Sequence, residues 1–424
     1  MSADRGFERA VRILVANKFW YRRAGLERVM FDEIEWLEAA GHEVAHFSTQ
    51  HPENDVSPWS AYFAPYLELG PQTTLSPREK ATAVGRMFWN AVAARQFARL
   101  LRDFRPDVVH AHGIHRQISP SILVEARRAG VPVVQTLHDY HPICASGDLL
   151  LGGQSACDPP RCGPLDVLPS LFHGCVHQSR TKSTLGAAEL VWRRWALRYE
   201  RFVDVFVSPS RYLARVVSTY GIRHRPIRVL PNAIPAPERL PEVAPGDYFV
   251  YAGRLSREKG LGTLMRAVEA ARVPLVVAGT GPLEESLRAD APPGVRFLGR
   301  LPGDEVDHLL AGSRAAVVPS EWAENAPMAV LEPMVLGRPV VATRMGGIPE
   351  QVRDGVDGVL VDAGDGLQLA AALRVLSDDA ALADRLGRSA RRRATTTFGP
   401  QAHLDGLLGI YAAAIQAARR GDGG

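Results

Sequence analysis

The feature that most constrains this chain is a repeated alternation. Short β-branched apolar runs are separated by longer amphipathic stretches, once before residue 230 and again after residue 240. In the first half the apolar runs are Val11–Asn17, Glu43–Phe47, Asp107–His112, Pro132–Leu137 and Asp204–Ser208. Continuous runs of this kind suit strands buried on both faces of a parallel sheet. Helical patterns lie between them, from about Gly25 to Ala40 with Gly41 as the stop, and over Ser119–Ala129. The second half repeats the pattern at Tyr248–Ala252, Pro274–Ala278, Val295–Leu298, Ala315–Pro319, Pro339–Ala342 and Gly358–Val361. Strands alternating with helices predict an α/β fold with helices on both faces of a parallel sheet.

Between the halves lies Pro231-Asn232-Ala233-Ile234-Pro235-Ala236-Pro237, with Pro241 and Pro245 following. Proline this dense holds no regular element and marks a stiff linker. A last helix, about Gln401–Arg419, follows a Gly399-Pro400 break. The expected organisation is a first domain over 1–230, a second over 231–399, and a helix in 400–424 that packs back on the first domain.

A chain of 424 residues has room for two such domains. Its formal net charge of +4 is too weak to imply nucleic-acid binding. No run of 18 apolar residues spans a membrane. Met1-Ser2-Ala3-Asp4-Arg5 lacks a basic-then-apolar signal segment, so the expected compartment is the cytoplasm. Two basic amphipathic stretches, Arg86–Arg105 and Leu190–Phe202, read as helices packing on the domain with arginines facing water. The alternative is peripheral contact with an anionic membrane surface.

Open parallel sheets bind ligands beyond the C-terminal ends of their strands, and two facing sheets make the crevice between them the natural site. Tyr248–Ala252 runs into Gly253-Arg254-Leu255-Ser256-Arg257-Glu258-Lys259-Gly260. Arg254 and Lys259 on a glycine-bounded loop suit a diphosphate, because Arg grips oxygens with parallel donors and Lys adds a point charge. After Ala315–Pro319 comes Ser320-Glu321-Trp322-Ala323-Glu324-Asn325-Ala326-Pro327-Met328-Ala329-Val330-Leu331-Glu332. Asn325 is suited to cap a helix, with Pro327 in its first turn. Glu324 then lies in the loop beside free helical N–H groups that favour an anion, and Glu332 lies about a turn further in.

These residues resemble family 4 glycosyltransferases, of the two-domain GT-B type. The resemblance runs through Val207-Ser208-Pro209-Ser210, Val229-Leu230-Pro231-Asn232, Gly253-Arg254 to Lys259-Gly260, and Ala278-Gly279-Thr280-Gly281-Pro282. It continues through Glu324 to Glu332, Gly337-Arg338-Pro339-Val340-Val341-Ala342-Thr343 and Gly346-Gly347-Ile348-Pro349-Glu350. It implies a retaining, metal-independent transferase with two Rossmann-like sheets facing a central cleft. The donor it implies is a UDP- or GDP-sugar, and the acceptor a small molecule, a lipid-linked sugar or a polysaccharide. By the same resemblance Arg254 and Lys259 bind the diphosphate. Glu324, with the backbone of Asn325, Ala326, Pro327 and Met328, holds the donor sugar, and Glu332 holds the ribose. The base stacks near Phe297–Leu301, beside Arg300. His138 faces the donor sugar. Gly25 approaches the donor phosphates, although Ala24 stands where the family has another glycine. Pro333 replaces a small helix former and predicts a bend just past Glu332. No Asp-x-Asp triplet occurs, in keeping with protein cations neutralising the diphosphate.

All four cysteines fall in one window, Cys144, Cys157, Cys162 and Cys175. The segment around them is rich in Gly and Pro and forms an insertion over 144–177. Thiolate coordination of a structural zinc would fold such a loop, with His141, His173 or His177 able to replace a cysteine. A subset of the family carries clustered cysteines after the same histidine. Unliganded thiols and disulfides are the other readings. For the chain as a whole, a nucleotide-sugar 2-epimerase of the same architecture and a non-catalytic nucleotide-sugar sensor are the rival functions.

Overall fold

The computed structural model describes residues 9–68, 76–153, 155–157, 160–163, 166–244 and 246–420. Two six-stranded sheets organise it. The first contains β1 (Arg12–Ala16), β2 (Glu43–Phe47), β3 (Val108–Ala111), β4 (Val133–Thr136), β5 (Val205–Ser208) and β6 (Ile227–Val229). Its order is β6-β5-β4-β3-β1-β2, parallel throughout. The second contains β7 (Phe249–Ala252), β8 (Leu275–Ala278), β9 (Val295–Gly299), β10 (Ala315–Val318), β11 (Val340–Thr343) and β12 (Gly358–Val361). Its order is β9-β8-β7-β10-β11-β12, again parallel. The order reverses between β1 and β3 in one sheet and between β7 and β10 in the other, and ligands bind at such switch points.

Alternate residues of each strand feed opposite cores, which is why the runs read as continuously apolar. Leu14, Ala45, Phe47 and Val109 pack on one side of the first sheet with the helix Ala91–Phe104. Ile13, Val15, Val44 and Val108 pack on the other with Met30, Ile34 and Leu37 of the helix Gly25–Ala39. Leu407, Tyr411, Ala414 and Ile415 of the C-terminal helix, Pro400–Arg420, join that second face. The last helix of the chain therefore completes the core of the first domain. The crossing back runs beside the proline linker, where the Ile234 N–H donates to the Phe398 carbonyl at 2.8 Å.

The edge strand β6 has no counterpart among the predicted strands. It is three residues long, half-buried to exposed, and set between prolines, so no alternation marks it. The two basic stretches also differ from expectation. Arg86–Arg105 is not one helix: Pro77–Phe88 ends at Trp89, and Asn90 caps a new helix by accepting from the Ala93 N–H at 3.0 Å. Leu190–Phe202 is the end of one helix followed by a π turn and a 3₁₀ turn. Arg193 there is fully buried, donating to Glu189 at 2.8 Å and to the His141 carbonyl at 2.6 Å. Arg194 donates to the carbonyls of Pro142 at 3.0 Å and Tyr220 at 2.7 Å. Both act as inward struts rather than as a solvated basic face. Among the described residues no helix is long and apolar enough to cross a membrane.

The cysteine segment packs onto the first domain, with Cys144, Leu149 and Cys157 in its core. Its regular structure is a short antiparallel pair, Leu150–Leu151 with Ser155–Ala156, and one helical turn and a half, Leu168–Phe172.

Candidate active site

The loops that follow β7 and β10 flank the switch point of the second sheet, and close backbone approach fixes both. Gly260 sits at φ 70°, and a Cβ there would lie 1.9 Å from the Pro319 carbonyl oxygen. The turn Arg257–Lys259 can therefore press against the end of β10. This brings Lys259 Nζ to 2.6 Å from Glu324 Oε1, which also accepts from the Ser320 hydroxyl at 2.7 Å. The ammonium stands 5.2 Å from the centre of the Trp322 ring. Gly347 supports the other side. Its N–H donates to the Glu324 carbonyl at 2.6 Å, and a Cβ there would lie 1.9 Å from the Asn325 carbonyl oxygen.

Asn325 does not cap the helix that follows. The helix is Met328–Val335, its N-cap is Pro327, and no side chain caps it. Asn325 Nδ2 instead donates across the cleft to the His138 carbonyl at 2.7 Å. A cap bond was the expectation; a cross-domain bond took its place because His138 ends the facing strand loop. The helical N–H groups thus remain free of side-chain caps, a setting that favours an anion. The helix contains Pro333 and ends at Val335.

A cavity of about 690 Å³ lies between the domains. The structure gathers Gly25, His138, Lys259, Glu324, Asn325, Ala326, Pro327, Met328 and Glu332 around it. Two predicted residues are not among its lining. Arg254 is exposed just past β7, and its carbonyl accepts from Tyr251 Oη–H at 2.7 Å. Arg300 is exposed beyond the edge strand β9, where Phe297 is half-buried under the Arg288 guanidinium. Sequence reading missed Arg22, Arg23 and Arg28, which line the cavity from the first domain. Their signal was available: all three flank Gly25 in Arg22-Arg23-Ala24-Gly25-Leu26-Glu27-Arg28. Arg22 pairs with Asp32 at 2.6 Å and with Glu35, while Arg28 reaches over to Glu332. Burial pushes the Glu332 carboxyl up, and the Arg28 charge partly offsets it.

His138 stands at the loop after β4, with Nε2 2.9 Å from Nδ1 of the buried His112. Burial lowers its pKa. The next residue, Asp139, pairs with His141 at 2.8 Å, and the His141 ring stacks on His115 with centroids 4.5 Å apart. Burial would raise the Asp139 pKa, but the charge and hydrogen bonds of His141 hold it well below the carboxylate range.

The four cysteines are free thiols that line one small cavity beside Leu149 and Pro169. Burial, then the neighbouring sulfurs, push the Cys162 thiol up to about 12. Two other groups have ligand-type atoms within 4.8 Å of one another, Glu33–His110–His112 and His115–Asp139–His141, and no cysteine belongs to either.

Comparison with known proteins agrees with this geometry. Residues 23–236 match the family described as Glycosyltransferase Family 4, and residues 236–393 match Glycosyl transferases group 1. The chain is 28% identical over 335 residues to the glycogen synthase of Mycobacterium tuberculosis (strain ATCC 25618 / H37Rv), covering 75% of this chain and 72% of that protein. The sucrose-phosphate synthase of Thermosynechococcus elongatus superposes with a TM-score of 0.67 at 17% identity, covering 96% of this chain and 100% of that one. Anabaena Alr3699/HepE in complex with UDP and glucose gives 0.61 at 17% identity, covering 95% and 100%. The structural likenesses establish the fold, and the family match establishes the chemistry: the chain belongs to glycosyltransferase family 4, as a retaining, nucleotide-sugar-dependent glycosyltransferase of the GT-B fold.

Proposed function

We propose that the interdomain cavity holds a UDP- or GDP-sugar, UDP being favoured because the structurally similar Anabaena protein was captured with UDP and glucose. The observation that carries this reading is the lining of the cavity: cations from both domains face an uncapped helix start flanked by Glu324 and Glu332. Glu332 takes the ribose hydroxyls and Glu324 the sugar hydroxyls. Lys259, Arg22 and Arg23 balance the diphosphate. Arg254 and Arg300 stand outside the cavity lining, and their part in donor binding depends on the domains closing.

In the transfer, the bond from the anomeric carbon to the phosphate oxygen breaks and a bond to the acceptor hydroxyl oxygen forms on the same face. The leaving phosphate takes the acceptor proton. The protein's share is alignment, together with stabilisation of charge on the departing diphosphate. His138 faces the sugar. The acceptor, a small molecule, lipid-linked sugar or polysaccharide, enters from the first-domain side.

Thermal-shift screening against nucleotide-diphosphate sugars tests the donor. A donor at 100 times its Kd adds about 2.7 kcal/mol of stability. Slow hydrolysis of that donor without acceptor would identify the same compound. A panel in which neither uridine nor guanosine diphosphate sugars shift the melt would sink this donor assignment.

A further inference from the structure

The cleft chemistry leaves one buried polar cluster unused. Beneath His138 lie Glu33, His112, His110, His403 and Tyr411, all nine-tenths buried or more. A carboxylate this deep is costly unless paired. One Glu33 oxygen is paired, with Oε1 2.8 Å from His403 Nε2. His403 Nδ1 lies 2.8 Å from the Pro231 carbonyl oxygen, which only accepts, so that nitrogen carries a proton. Nε2 carries another to meet the carboxylate. His403 is therefore an imidazolium: burial opposes the charge, and the Glu33 hydrogen bond outweighs it.

The second Glu33 oxygen, Oε2, has no hydrogen-bond partner. Neither has His112 Nε2, which lies 3.6 Å from it. Burial keeps His112 neutral, with a single ring proton. With that proton on Nδ1, the Nε2 lone pair would face the carboxylate and be repelled. With it on Nε2, an N–H dipole points at the free oxygen, an attraction that the low-dielectric interior strengthens. The carboxylate thus selects the Nε2–H form of His112, and Nδ1 becomes an acceptor. Its partner, His138 Nε2 at 2.9 Å, must then donate. His138 is neutral too, so its Nδ1 keeps an unshared pair, and among the described residues nothing bonds to it. His110 is not part of this chain, because its nitrogens are taken by Tyr411 at 2.7 Å and Thr136 at 2.7 Å.

We propose that Glu33, acting through His112, holds His138 in the Nε2–H tautomer, so that Nδ1 is a hydrogen-bond acceptor for a substrate hydroxyl. Glu33 and His112 are positioning residues, and the C-terminal helix serves the site through His403. The inference deepens the reading that His138 faces the donor sugar, and rests on it for its catalytic meaning. A lone pair there suits a sugar that becomes electron-poor in the transition state, whereas an N–H would oppose it.

Long-range proton–nitrogen NMR of the full-length, ¹⁵N-histidine-labelled protein near neutral pH tests this directly. His112→Asn and His138→Asn spectra assign the two rings. Both are expected as neutral Nε2–H tautomers in the unmutated chain; an Nδ1–H or doubly protonated His138 overturns the proposal. In Glu33→Gln the amide N–H₂ can donate to His112 Nε2 and reverse the relay. His138 should then shift to Nδ1–H, and kcat should fall on the order of tenfold or more with donor KM within about twofold. Lost kcat without a tautomer change, or no change in either, also overturns it. If Glu33→Gln does not fold, the spectrum of the unmutated protein decides alone. A His138→Asn variant that transfers sugar normally would remove His138 from the chemistry while leaving the tautomer result standing.

Discussion

Arg28 of the first domain and Glu332 of the second form an ion pair across the cleft. Glu332 is the carboxylate assigned to the ribose, so the donor must share it with Arg28 or replace it. The pair also does electrostatic work. Burial raises the Glu332 pKa, and Arg28 is the charge that pulls it back. In Arg28→Ala the carboxyl should titrate higher, and donor KM should rise as pH falls through that value. The unmutated enzyme should show a flatter profile over the same range. Parallel KM profiles for the two proteins would show that Arg28 does not govern Glu332.

The two glutamates should separate kinetically. Glu332→Gln should raise donor KM with little effect on kcat, because ribose contacts are alike in ground and transition states. Glu324→Gln should lower kcat if its sugar contacts tighten as the bond breaks. Steady-state kinetics showing the reverse pattern would exchange the two roles.

Lys259 stands inside the cavity lining and Arg254 outside it. Lys259→Met should therefore cost more than Arg254→Ala, on the order of 10²-fold in kcat/KM if it stabilises the leaving diphosphate. Equal losses would mean that Arg254 swings inward when the donor binds.

The cysteine quartet has the donor set of a structural zinc, although no three of its sulfurs lie within 4.8 Å of one another. Four thiols face one small cavity, and a cation would relieve the mutual repulsion that a thiolate at Cys162 would meet. Elemental analysis of protein purified without a metal-binding tag should then find about one zinc per chain, released together with loss of stability. Four freely titrating thiols and a content below ~0.2 zinc per chain would leave them as packing residues.

Buried histidines set the pH range of stability. His46 and His110 have pKa values lowered to about 4 by burial, and His112 is also well lowered. The unfolded chain takes up these protons near pH ~6.5, and the folded chain does not. Their contribution is full above that pH and is lost as pH falls, by about 1.4 kcal/mol per pH unit for each histidine. His403 has the opposite sign, since its pKa is raised: its contribution is full below ~6.5 and lost as pH climbs through the raised value. Chemical denaturation across pH should show a fall below about 6 that is shallower in His46→Phe.

What was legible in the chain follows from the range of each interaction. Glu43–Phe47 and Gly358–Val361 match their predicted bounds because doubly buried strands carry a local apolar signal. Lys259 and Glu324 were legible as cavity neighbours because they follow adjacent strands of the second sheet, Glu332 because it lies in the helix after the second of these, and His138 because it follows β4 in the facing sheet. Asn325 was misassigned because capping chemistry is local, whereas its actual partner lies 187 residues away in sequence. Glu33 and His403, 370 residues apart, left no trace that spacing could register. Arg193 looked solvated because a charge in a basic run usually is; only the fold turns it toward Glu189 and the His141 carbonyl.

The return of the C-terminal helix to the first domain means that the backbone passes between the domains twice, and the two passes are bonded side by side at Ile234 and Phe398. A single tether would let one domain wander and tumble relative to its neighbour. Two neighbouring strands of chain leave essentially one degree of freedom, rotation about the line where they meet, as in a book turning on its spine. Opening for product release and closing on the next donor then retrace the same arc, and cutting one pass would free the halves to wander.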